Sequence, residues 1–83
     1  MPKVAVVEGV RIHFYANEHP PPHFHAQFAE HRAVIDIASL TVMEGFLPVA
    51  KRRAVVSWAL SRKTNLHAAF VAATSHQKVR AIE

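Results

Sequence analysis

The chain contains no cysteine, which excludes disulfide staples, thiolate zinc sites and thiol nucleophiles. Glycine is almost as scarce, with only Gly9 and Gly45, and no linker, internal repeat or low-complexity segment interrupts the chain. Long apolar runs are missing too. Val4–Val7 stops at Glu8, and Ala68–Ala73 is far too short to cross a bilayer. The expectation is a cytoplasmic protein with no membrane partner. Acids are in the minority: six Asp/Glu face ten Lys/Arg, a net charge of +4 with histidines neutral. This charge rises below about pH 6.5 as histidines protonate. The excess is compatible with an acidic partner such as nucleic acid, but it is modest.

What is present fits one small domain, residues 1–83. A chain of this length buries only about 60–65% of its unfolded surface, so a self-associating face, and hence a homodimer, is consistent with its size. The hydrophobic fraction is 51%, and it is spread along the whole chain, which argues against disorder.

The first half has a period of two. Lys3–Val7 reads as a strand, Glu8-Gly9 as a tight turn, and Val10–Ala16 as a second strand with Val10, Ile12, Phe14 and Ala16 on one side. Three prolines, Pro20–Pro22, then end any ladder, since proline has no N–H and fixes φ. Phe24–Ala29 alternates again, with Phe24, Ala26 and Phe28 opposite His23, His25 and Gln27. After a turn at Glu30-His31, Arg32–Ile37 puts Ala33, Ile35 and Ile37 towards the core. Thr41–Glu44 reads as a short edge strand ended by Gly45.

Beyond Gly45 the period becomes about 3.6. One helix is expected over 48–62, with Pro48 in its first turn and Val55, Val56, Ala59 and Leu60 as its buried stripe. A second is expected over 64–75, opened by Thr64 or Asn65 and burying Leu66, Ala69, Phe70 and Ala73. Trp58 also falls on an apolar side, and residues 78–82 alternate as a last strand would. Strands first and helices after predict an α+β fold: an antiparallel sheet of three to five strands with two helices on one face. The other face then carries Arg11, His13, Tyr15, His23, His25, Gln27 and Asp36, and an antiparallel sheet tolerates such a wet face.

That face supplies the candidate site. On a strand His23 and His25 point the same way with Cβ atoms roughly 7 Å apart, a workable bite for two imidazoles on one metal. His13 or Asp36 on neighbouring strands, or His19 from the connector, could complete a site, and a divalent transition metal such as zinc, nickel, copper or iron would accept such ligands, His13 being the leading third one. Alternatively, His23 and His25, with Asp36 orienting one of them, form an acid–base set beside Arg11 and Tyr15, suited to metal-free RNA cleavage. A separate oddity is Lys51-Arg52-Arg53, three cations in the first turn of a helix, where the macrodipole disfavours them. They read as an anion site, and replacing all three by glutamine is expected to stabilise the isolated protein and abolish anion binding.

The order Asn17-Glu18-His19, Pro21-Pro22-His23-Phe24-His25, Ala33–Ile37, Gly45-x-Leu47-Pro48 and then a tryptophan-bearing helix resembles the small bacterial domains grouped as domain of unknown function 4160. Nearly the whole chain takes part. Gln27 stands where many members carry an acid. Members often resemble one half of a two-gene cassette, which implies a toxin–antitoxin-like pair with a small partner protein encoded nearby. The leading expectation is therefore an interaction or regulatory component of such a pair, binding a partner protein or nucleic acid through its histidine-rich sheet face. The alternative is a small metal-independent ribonuclease or a metal-dependent hydrolase using His23 and His25.

Overall fold

A computed structural model of the chain describes residues 3–83. Five strands, β1 (Lys3–Val7), β2 (Val10–His13), β3 (His23–Phe28), β4 (His31–Asp36) and β5 (Val42–Gly45), pair antiparallel in sequence order. Two helices follow, α1 (Val49–Leu60) and α2 (Lys63–Thr74). The fold is α+β, as the change of period predicts.

The turns show why the strands reverse where they do. Glu8 and Gly9 both have positive φ, 49° and 80°, as a two-residue hairpin turn of the twist-compatible kind requires. At the far edge, Gly45 has φ 82°, and a Cβ there would lie 2.1 Å from the Arg32 carbonyl oxygen. That same carbonyl accepts the N–H of Phe46 at 2.8 Å. Only glycine lets the chain pass this close while it leaves the sheet for α1.

One face of the sheet builds the core. Val10, Ile12, Phe14, Phe24, Ala26, Ala33, Ile35 and Ile37 are buried against Leu47, Val55, Ala59, Leu66, Ala69, Phe70 and Ala73. All four expected positions of α2 are buried. The stripe of α1 is narrower than expected: Val55 and Ala59 are buried and Val56 partly so, but Leu60 is 61% exposed. Leu60 is the last residue of the helix and lies outside its buried stripe. Trp58 is half-buried against the core edge with the Arg62 guanidinium 5.2 Å from its ring.

Other expectations need correcting at the element ends. β2 stops at His13, so Ala16 is exposed in the connector rather than buried on a strand. α2 begins at Lys63, with Arg62 at the cap position and no side-chain cap from Thr64 or Asn65. Residues 78–82 are not a strand. Ile82 is buried and donates its N–H to the Val4 carbonyl at 2.8 Å, but no ladder forms around that single bond.

Candidate functional site

His13 and His25 are direct partners across β2 and β3. Their rings are stacked, with centroids 5.7 Å apart and planes 9° from parallel. Tyr15 stands edge-on to His25 at 4.4 Å, and its hydroxyl is 3.1 Å from His13 Nε2. Burial holds the His13 pKa below the usual histidine range, and the nearby positive charges of His25, Arg11 and Arg32 add to this. These rings share a shallow concavity of about 360 Å³ with Gln27, Arg32 and Glu44. Arg11 is exposed beside it, paired with Gln27 across the strands.

Because β2 ends opposite His25, the start of β3 projects beyond it. The connector, residues 14–22, folds over that end, and in its middle lies Glu18. Its carboxylate accepts a hydrogen bond from His25 Nε2 and lies 3.4 Å from His23 Nε2. Burial raises the Glu18 pKa, but hydrogen bonds from His25 and His23 outweigh it, and the carboxyl is held below its ordinary value. His23 Nδ1 is 2.7 Å from the Pro21 carbonyl oxygen. A carbonyl only accepts, so Nδ1 donates its proton to Pro21, and Nε2 is the ring nitrogen that faces Glu18. The ligand atoms of Glu18, His23 and His25 all lie within 4.8 Å of one another.

The expectation that His23 and His25 lie together on the wet face, away from the helices, holds for His25 only. His23 is 8% exposed, and its ring packs 5.3 Å from Phe70 of α2. The strand alternates as expected. At the end of the sheet, however, His23 has the connector beside it instead of β2, and that cover takes it out of solvent.

Asp36 pairs with His23 in register, but its carboxylate is engaged elsewhere. It accepts the Ser39 N–H and the Ser39 hydroxyl, each at 2.8 Å. These bonds, the backbone one first, hold its pKa below the ordinary value. Among the described residues Asp36 makes no hydrogen bond to a histidine, and Glu18 occupies the orienting position instead. His19 is exposed and outside the cluster.

The basic turn of α1 is not part of this assembly. Lys51 Nζ donates to the Glu8 carbonyl at 2.7 Å and sits 4.6 Å from the Phe28 ring centroid. Phe28 is at the opposite end of β3 from His23 and on the core side of the sheet. Among the described residues Arg52 and Arg53 have no side-chain hydrogen bond or ion pair.

Three residues of the assembly, Arg32, Glu44 and Glu18, are not among those expected on the polar face. Arg32 was detectable: in a strand burying Ala33, Ile35 and Ile37, it must share the far face with Val34. Glu18 carried no periodic signal, because it lies in a segment that is neither strand nor helix.

A family model described as Domain of unknown function (DUF4160) matches residues 9–70, a span that includes Glu18, both site histidines of β3 and Phe70. No curated protein matches the chain, and no solved structure does.

Proposed function

We propose, from the premise that the chain belongs to the family described as Domain of unknown function (DUF4160), that it is a small binding module whose open sheet face engages single-stranded nucleic acid. The observation that carries this reading is the stacked His13–His25 pair with Tyr15 at its edge, flanked by the exposed Arg11 and Arg32. Unpaired bases stack on such rings, at about 1–3 kcal/mol per base, while arginines meet the phosphates. The net charge of +4 favours the same class of partner. In a toxin–antitoxin-like pair in the cytoplasm this would be the regulatory or interacting component. Arg52 and Arg53, on the helix layer, would form a separate anion contact.

The test is fluorescence anisotropy with a labelled single-stranded RNA at several salt concentrations. Binding that weakens with salt and drops at least tenfold in Tyr15→Ala supports the proposal. Unchanged affinity in that variant defeats it. A pull-down with the neighbouring gene product separates the other outcome, in which a small protein occupies the face.

A second reading is favoured by the Glu18–His25 hydrogen bond. A carboxylate-oriented imidazole beside two arginines is a fit for ribonuclease chemistry, with His25 taking the proton of the 2′-hydroxyl and a guanidinium stabilising the phosphate charge. Cleavage of RNA by the free protein, lost in His25→Ala, would select it. Activity that a chelator abolishes would select the metal-dependent hydrolase instead.

A further inference from the structure

We propose that Glu18, His23 and His25 form a binding site for one divalent first-row transition ion, with Glu18, not His13, as the third ligand. The proposal stands on the convergence of three donor atoms and does not require the sheet face to bind nucleic acid. Two imidazole nitrogens and one carboxylate oxygen meet at the end of β3, with no pair of ligand atoms further apart than 4.8 Å. Ligands at about 2.0–2.1 Å around a tetrahedral ion are some 3.3 Å apart. The 3.4 Å between His23 Nε2 and Glu18 Oε1 already matches that spacing, and His25, now hydrogen-bonded to Glu18, reaches it by drawing back from the carboxylate.

The surroundings agree with a metal more closely than with an ordinary ion pair. Metal-bound histidines commonly donate their other ring N–H to a backbone carbonyl, which fixes the tautomer and aims the free nitrogen at the ion. His23 has this arrangement, with Nδ1 on the Pro21 oxygen and Nε2 facing Glu18. Phe70 backs the His23 ring, so water is excluded from one side. His13 is placed differently: its Nε2 is engaged by the Tyr15 hydroxyl.

Two neutral imidazoles and one carboxylate prefer zinc, nickel or ferrous iron to magnesium or calcium, which require mainly oxygen ligands. Three protein ligands also leave a fourth position open to water or a bound anion. On binding, the ion takes the place of the proton between His25 Nε2 and Glu18, and the neutral imidazole then carries its one proton on Nδ1; a protonated histidine has to release a proton to solvent first. Affinity therefore falls as the medium becomes acid.

The experiment uses the full chain, stripped with a chelator and titrated with zinc and, separately, magnesium by calorimetry. Cobalt is added as a spectroscopic probe. The expected result is one zinc per chain at micromolar affinity or tighter, no measurable magnesium binding, and visible cobalt absorption bands typical of four- or five-coordination. Glu18→Gln, which keeps the shape of the side chain, should weaken zinc at least tenfold and remove the cobalt bands, as should His25→Gln. Asp36→Asn and His13→Gln should stay within about threefold of the parent. Circular dichroism on each variant shows that the fold persists. Failure to take up zinc, equal affinity in Glu18→Gln, or a His13→Gln loss as large as that of His25→Gln overturns the proposal. The Arg11→Gln/Arg32→Gln variant should bind zinc normally, so failure of the nucleic-acid reading is distinguishable from failure of this one.

Discussion

Glu18 and His25 are seven residues apart in the chain and hydrogen-bonded in space, carboxylate to Nε2. The contact pins the middle of the connector to β3. Removing the carboxylate by Glu18→Ala should cost about 1–2 kcal/mol, since charge-assisted bonds exceed neutral ones but half-exposure reduces their net value. A double-mutant cycle with His25→Ala, read by urea denaturation in the presence of chelator, should give a coupling of at least about 0.5 kcal/mol. Simple additivity would mean that the contact contributes nothing to holding the connector.

Arg11 and Arg32 lie on opposite sides of Gln27, across β3 from each other. If they meet phosphates of a single strand, each substitution by glutamine should lower the slope of log affinity against log salt by about 0.7. The same slope measured on Arg52→Gln/Arg53→Gln tests the helix layer as a separate contact. A slope that depends only on the helix variant would place the nucleic acid there and not on the sheet.

Lys51, Arg52 and Arg53 are not equivalent, although all three oppose the helix macrodipole. Lys51 holds the Glu8 carbonyl and the Phe28 ring, so Lys51→Gln should destabilise by about 0.5–1 kcal/mol. Arg52→Gln and Arg53→Gln should each gain a few tenths of a kcal/mol, roughly the dipole term. Thermal melts at low and high salt separate the two effects, because the gain is screened and the packing of Lys51 much less so.

Gly45→Ala should be the most damaging single-methyl change in the chain. The added Cβ falls 2.1 Å from a backbone oxygen at a φ of 82°. A loss of about 2–4 kcal/mol is expected from strain plus displacement of β5. Gly9→Ala is the comparison, since its Cβ would meet only Phe28 side-chain atoms at 3.5 Å and beyond. Equal losses at the two sites would show that φ alone, and not the approach of Arg32, sets the cost.

Asp36 predicts an acid-dependent term. Its pKa is lowered in the fold, first by the Ser39 backbone bond and then by the Ser39 hydroxyl, with His23 across the strands adding a weaker charge effect. A depressed carboxyl stabilises fully above its unfolded value of about 3.9, and that stability is lost as pH falls through the lower folded value. The stability difference between the parent and Asp36→Ala, at most about 1 kcal/mol for so exposed a group, should therefore be constant from pH 7 to about 5 and shrink below that. A difference that instead grows as pH falls would contradict the Ser39 assignment.

Much of the architecture was legible because its signals are local. The positive-φ turn at Glu8-Gly9, the alternation of Phe24, Ala26 and Phe28, and the spacing of Leu66, Ala69, Phe70 and Ala73 each report geometry within a few residues. Leu60 and residues 78–82 have the right pattern but lie at an element end or beyond the last element, where burial depends on what the rest of the chain leaves uncovered. Asp36 was the obvious carboxylate by strand register, yet Ser39 offered it two bonds three residues away.

The sequence by itself determined which residues share a face, because side chains alternate along a strand and recur every 3.6 residues along a helix. That was enough to bring His13 and His25 together and to set them apart from the core. Which carboxylate meets the histidines was decided only in three dimensions. The connector has no period to read, and its path follows from where β2 stops and β3 begins. That path carries Glu18 back over the end of the sheet, covers His23 and turns two histidines on one strand into a three-residue cluster.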